Sequence, residues 1–287
     1  MTPTPDDGRL VGAILDYYLA DLDARGKLTP SIKSHVAKVR PRFDRLPVSK
    51  FGQLEVDRAA RLMARDEGLK PGGIHTRLAY LRAALNLAEH HRAIDRAPKF
   101  RMPVSPGPPR ERWVTKAEAA RVVTAAGELG LRHTQLALIL GFQTAKRAGA
   151  IYALTWSQVD FGANEIDFGA GNGKKRRGVV PMSEAMRNVL LEAQATADPK
   201  CKYVVSYQGH RIKGSLRGGL NRACARAGVE RFTMHICRHS ACTWMVEAGI
   251  PTREAARLAG MTEAIFERVY GKHAPGYLQA AADSLSI

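Results

Sequence analysis

Between residues 97 and 113 the chain reads APKFRMPVSPGPPRERW, and no helix can run through that span. Its five prolines lack the backbone donor that a helix interior needs, and each ring clashes with the carbonyl four residues back. Such a segment runs extended and serves as a semi-rigid spacer. It divides the chain into a helical unit over residues 1–100, a Pro-rich linker over 101–112 and a second unit over 113–287. A length of 287 residues suits one large or two modest domains.

Before the break the pattern is helical throughout. GRLVGAILDYYLADLDARG, PSIKSHVAKVRPRF, VDRAARLMARDEG and IHTRLAYLRAALNLAEHHRAI each space their apolar residues at helical intervals, and KPGG punctuates the last two. This predicts a small basic helical bundle. After the break the pattern is mixed. TKAEAARVVTAAGELG opens on Thr115 with Glu118 three residues on, a capping box. HTQLALILGFQTAKRAGAIYALTW is a long apolar helical region broken near Gln143–Lys146. NEIDF and GVVPM read as two short strands around GAGNGKKRR, a hairpin with a basic, glycine-rich tip. From about residue 183 the pattern is helical to the end, with Thr233, Thr262, Gly249–Pro251 and Gly271 marking helix ends. The expected fold class is mainly α with a small β hairpin or sheet, the second unit being α+β.

Charge narrows the function. The formal net charge is +17, and both the first hundred residues and the remainder are net basic. A balance that far from neutral points to a polyanion partner, DNA or RNA, along both units. No apolar run approaches the ~20 residues of a membrane span. MTPTPDDGRL lacks the basic and apolar regions of a secretory signal. A cytoplasmic protein is expected, with no membrane partner. Cys201, Cys224, Cys237 and Cys242 form no CxxC pair, so neither a disulfide framework nor a paired-cysteine metal site is indicated.

Four features of the second unit carry chemistry. They are Arg147 at the break in its apolar run, Lys174 and Lys175 at the hairpin tip, His235 with Arg238 and His239, and Tyr270 just before Gly271. Each has a plain structural reading when taken alone: a surface charge, solvated loop lysines, a hydrogen-bonded histidine, an amphipathic tyrosine. His235, Cys237, His239 and Cys242 raise the alternative of a metal site. On a helix, however, Cys237 lies about 200° around from His235. His235, Arg238 and His239 share one face. Together the four features fit attack by a protein hydroxyl on a phosphodiester. The non-bridging oxygens want planar, permanently charged donors, which two arginines supply. The protons gained and lost want a histidine and a lysine, and a tyrosine can form the covalent ester. No acidic pair lies nearby at metal-binding spacing, so a metal-dependent nuclease is a distant reading.

These residues resemble the tyrosine recombinase, or phage integrase, family. TAKRAGAIYALTWSQVDF is similar to its first arginine box, KKRRGVVPM to its lysine hairpin, TMHICRHSACTWMVEAGI to its H-x-x-R-H box, and LAGMTEAIFERVYGKHAP to its tyrosine box. The resemblance runs from about residue 113 to 287. Residues 1–100 are similar to the family's helical core-binding domain in character only.

The resemblance implies a site-specific recombinase that integrates or excises a mobile element through a 3′-phosphotyrosyl intermediate, without metal, ATP or cofactor. It implies that Arg147 and Arg238 bind the scissile phosphate and that His235 gives acid/base support. Lys174, with Lys175 as the alternative, protonates the 5′ oxygen, and Tyr270 attacks. The implied partners are double-stranded DNA, a homo-tetramer on that DNA, and an optional accessory DNA-bending protein. The implied architecture is a clamp of two domains without an additional N-terminal arm-binding domain. The C-terminal GYLQAAADSLSI is expected to dock on a neighbouring subunit or on its own domain.

Two positions depart from the family pattern. Ala150 stands where an acidic residue is frequent, and Met261 where a His or Trp is usual. Losing one such donor costs about 10²–10³ in rate. His273 is a candidate substitute donor, while His239 is a candidate packing residue. The alternatives are a catalytically silent DNA-binding descendant and a type IB topoisomerase-like enzyme.

Overall fold

The computed structural model describes residues 9–105, 112–169 and 178–273, together with Asp283 and Leu285. Two compact units emerge, Met1–Arg110 and Glu111–Ile287. The chain is mainly α-helical, with small antiparallel sheets confined to the second unit.

The first unit is built on α1 (Val11–Ala24), α2 (Pro30–Val39), α3 (Gln53–Glu67) and α4 (Pro71–His90). Pro30 and Pro71 open their helices where a missing N–H costs nothing. Gly68, at φ +58°, closes α3 in the left-handed region that glycine adopts without strain. α4 packs against each of the other three, burying Leu78, Leu81 and Leu85. The buried Arg77 is paired with Glu67, which also binds Arg42. Residues just after Lys99, inside the span expected to be linker, dock on this unit. Arg101 N–H donates to Gln53 Oε1 at 2.8 Å, Arg82 lies 4.6 Å over the Phe100 ring, and Met102 and Val104 pack on the core. Residues 106–111 of that span lie outside the described residues.

The second unit is organised by two helices buried along most of their length, Arg132–Thr144 and Met234–Glu247. α5 (Lys116–Glu128) begins with the expected capping box: Thr115 Oγ1 accepts from Glu118 N–H, and the Glu118 carboxylate accepts from Thr115 N–H at 2.9 Å. α6 (Arg132–Thr144) follows. A short α7 (Ala148–Ile151) comes after the break at Ala145–Arg147. Strands β1 (Val159–Asp160), β2 (Glu165–Asp167) and β3 (Val179–Pro181) form an antiparallel sheet in sequence order, with Ile166 opposite Val180. The two expected strands pair as read, and β1 is added. Residues 170–177, the tip with Lys174 and Lys175, lie outside the described residues.

α8 (Glu184–Ala195), α9 (Arg217–Ala227), α10 (Met234–Glu247), α11 (Thr252–Ala259) and α12 (Glu263–Tyr270) follow. The expectation of uninterrupted helix beyond residue 183 is corrected between α8 and α9. There β4 (Ser206–Tyr207) and β5 (His210–Arg211) pair across Gln208 and Gly209, both at positive φ. Strands of two residues are too short to show an alternating pattern, so the turn residues alone could have revealed them.

α10 crosses α6 at Gly141. A β-carbon there would stand 3.1 Å from both Cys237 Cβ and Met234 Cε, closer than ordinary packing. Glycine thus sets how near α10, with its arginine and histidines, comes to the helix that ends at Ala145. Gly141→Val is expected to lower the unfolding free energy by about 1–3 kcal/mol through overpacking, read as a fall in thermal midpoint. Gly149→Ala, where a β-carbon meets nothing within 4 Å, is expected not to lower it.

Candidate active site

Arg147 caps the N-terminus of α7 in an extended conformation and is exposed. It owes this placement to Ala145, which ends α6 in the left-handed region at φ +51° and is fully buried. That conformation is strained for a residue with a β-carbon, and the environment must hold it. Arg238 does so: its Nη1 donates to Ala145 O at 2.6 Å.

Arg238 is 3% exposed and lies one turn into α10. The same Nη1 also donates to Ala259 O at 2.6 Å. One nitrogen thus anchors the guanidinium to two main-chain carbonyls, and neither of these bonds uses Nε or Nη2, the fork that suits an oxyanion. Burial pulls the Arg238 pKa below its ordinary range, and the charge of Arg147 acts in the same direction. The two arginines, read from separate sequence segments, are therefore electrostatic neighbours.

The C-terminus of α11 accounts for its last four carbonyls. Ala256 O accepts from Met261 N–H at 3.0 Å, and Arg257 O from Gly260 N–H at 3.1 Å, with Gly260 in the left-handed region at φ +68°. This is a Schellman closure, which leaves two carbonyls over. Ala259 O goes to Arg238, and Leu258 O accepts from Lys146 Nζ at 2.7 Å.

Lys146 was missed in the sequence, where it marks only the break after an apolar helical run. It is 3% exposed. Burial, reinforced by the nearby Arg238 charge, pulls its pKa down to about 8. The only available signal was a lysine directly beside Arg147, at the end of an apolar run.

Tyr270 ends α12 and is 6% exposed, its ring 5.1 Å from that of His239 and 4.9 Å from that of Phe266. The Cys242 thiol lies beside its hydroxyl. Burial raises the Tyr270 pKa, Cys242 raises it further, and Arg238 opposes the shift. His235 is exposed on the first turn of α10, while His239 is buried on the second. Burial depresses the His239 pKa, and the charges of His273, His235 and Lys272 add to the effect.

The structure thus brings together Arg147, Arg238, Tyr270, His235, His239 and His273. His273 sits in the turn Gly271–His273 after α12, with its ring edge-on to Trp113 at 4.8 Å. Met261 is half-buried and packs on the alanine-rich cluster that holds Tyr270. Ala150 is buried in the main core. The metal alternative does not assemble. Cys237 faces Gly141, Cys242 faces Tyr270, and no group of three or more His, Cys, Asp or Glu could hold a metal ion among the described residues.

Residues 112–274 match the phage integrase family. The chain is 27% identical over 226 residues to the integrase of Salmonella phage P22, covering 73% of this chain and 57% of that one. It thus spans under two thirds of that relative's length. It is 24% identical over 284 residues to tyrosine recombinase XerA of Thermococcus onnurineus, covering 96% of each. In fold it is similar to the Tn1549 transposon integrase (residues 82–397) in complex with circular intermediate DNA. The TM-score is 0.76 at 17% identity, over 97% of this chain and 99% of that one.

Because Cys242 helps to keep the Tyr270 hydroxyl protonated, Cys242→Ala is expected to let Tyr270 ionise at lower pH than in the unaltered chain. Tyrosine ¹³Cζ shifts followed against pH report this directly. An unchanged or higher midpoint contradicts the contact.

Proposed function

The chain belongs to the phage integrase family, and on that premise we propose that it is a site-specific DNA recombinase that cleaves and rejoins strands through a 3′-phosphotyrosyl intermediate. The observation that carries this is the arrangement around Arg238. A guanidinium anchored by one nitrogen stands within electrostatic reach of both Arg147 and Tyr270.

Arg147 and Arg238 take the two non-bridging oxygens of the scissile phosphate and offset the charge that grows there. The Tyr270 oxygen forms its bond to phosphorus as the bond to the 5′ oxygen breaks. The phenolic proton passes to His235, and the 5′ oxygen takes a proton from Lys174 or Lys175. A 5′ hydroxyl from a partner strand then displaces Tyr270 by the reverse chemistry. One ester replaces another at each step, so neither ATP nor a metal is required.

Exchange between two duplexes cuts four strands, and one Tyr270 per cut calls for four copies of the chain on DNA. The net charge of +17, spread over both units, suits that partner. Integration or excision of a mobile element is the proposed setting, inside the cell. Among the described residues no helix is long and apolar enough to cross a membrane.

The rival reading, a DNA-binding descendant that no longer cleaves, draws on Ala150, Met261 and the Tyr270 hydroxyl kept protonated beside Cys242. A trapping assay separates the two. The protein is mixed, with EDTA present, with nicked duplexes tiled across the DNA flanking its gene. An SDS-stable protein–DNA adduct is expected on one duplex and is expected to vanish in Tyr270→Phe, which still binds that duplex. Tight binding without adduct on any duplex favours the silent reading. An adduct that survives Tyr270→Phe removes Tyr270 as the nucleophile.

A further inference from the structure

Lys146 has no role in the mechanism above, yet its placement is too specific for a solvated charge. It immediately precedes Arg147, its ammonium donates to Leu258 O at 2.7 Å, and it lies 5.6 Å from the centroid of the Phe168 ring. A β-carbon on Gly178 would stand 3.8 Å from its Nζ. Phe168 and Gly178 belong to the stem of the hairpin formed by β2 and β3.

Lys146 therefore touches three parts of the unit: the turn that presents Arg147, the end of α11, and the hairpin stem. Burying an ammonium is costly, and a methionine would fill the same space without that cost. What an apolar residue could not do is satisfy the one carbonyl of α11 that neither the Schellman closure nor Arg238 reaches. Leu258 O and Ala259 O are consecutive, so Lys146 and Arg238 are fastened to the same two-residue anchor. The negative end of the α11 dipole points at both cations.

We propose that Lys146 is a positioning residue of the phosphate site, holding the Arg147 turn and Arg238 in register through the C-terminal carbonyls of α11. The inference rests on the recombinase reading. A phosphate is clamped by two arginines only if their separation is held to a fraction of an ångström, and tying Arg238 and the residue next to Arg147 to adjacent carbonyls does that. Lys146 acts through the arginines and does not itself touch the DNA.

The test compares the full chain with Lys146→Met, Lys146→Gln and Lys146→Arg in single-turnover adduct formation on the reactive nicked duplex. DNA affinity and melting are measured in parallel. Lys146→Met is expected to slow adduct formation ~10–100-fold, the usual scale for a misplaced catalytic group, with DNA affinity within about twofold of normal. Lys146→Arg, which keeps a charged donor, is expected to recover part of the loss. Lys146→Gln carries the test if the Met variant melts below the assay temperature.

A duplex with a methylphosphonate at the scissile position separates positioning from packing. Its phosphorus centre carries one charge fewer, so a loosened arginine clamp matters less there, and the penalty of the Met or Gln variant is expected to shrink. A full-rate variant, or the same penalty on both substrates, overturns the positioning role and leaves the recombinase reading standing. Absence of adduct from the unaltered chain overturns that reading, and this inference with it.

Discussion

A buried guanidinium must have its donors satisfied, and the second unit is arranged around that requirement at Arg238. Its two acceptors come from different places: Ala145 O from the strained end of α6, and Ala259 O from the end of α11. Each is a carbonyl that its own helix cannot satisfy. One cation thereby closes two helix ends and supports a left-handed alanine. Removing it would leave two carbonyls without a donor as well as an empty charge site. This is why Arg147, which has no comparable anchor of its own, is presented where it is: the turn that carries it hangs on Arg238 and Lys146.

Small residues make that arrangement sterically possible. Gly141 lets α10 approach α6, and Ala145, Ala241, Ala255, Ala256 and Ala259 line the cluster beneath Tyr270. Larger side chains at these positions would move the backbones that supply the carbonyls, so the geometry of the polar site is set by its apolar floor. Met261 belongs to the same floor. Its thioether packs on that floor and has no N–H to donate to a phosphate.

Tyr270 is held in a state unsuited to attack. Its ring is buried against His239 and Phe266, and burial together with the nearby Cys242 thiol favours the protonated hydroxyl. On the recombinase reading, the hydroxyl must meet a phosphate already bound by the arginines. The phosphate then brings the base and the cations into play together.

Much of this protein was legible from its residues. The proline span near residue 100, the capping box at Thr115 and the helix-ending glycines are local signals, enforced by the backbone wherever they occur. The residue types and order of Arg147, His235, Arg238 and Tyr270 are local in the same sense, and they suggest a phosphate site before any coordinates are seen. What the sequence could not convey was mutual placement. That Lys146 is buried, that its ammonium meets Leu258 O, that Cys242 lies beside Tyr270, and that Gly141 sets an interhelical distance all join residues far apart in the chain. Such contacts depend on how helices pack, and packing is decided by the whole core and not by any window of sequence. Local chemistry was therefore written in the residues, while the burial that set a lysine on the end of α11 and a cysteine beside Tyr270 arose only when α6, α10, α11 and α12 closed on one another.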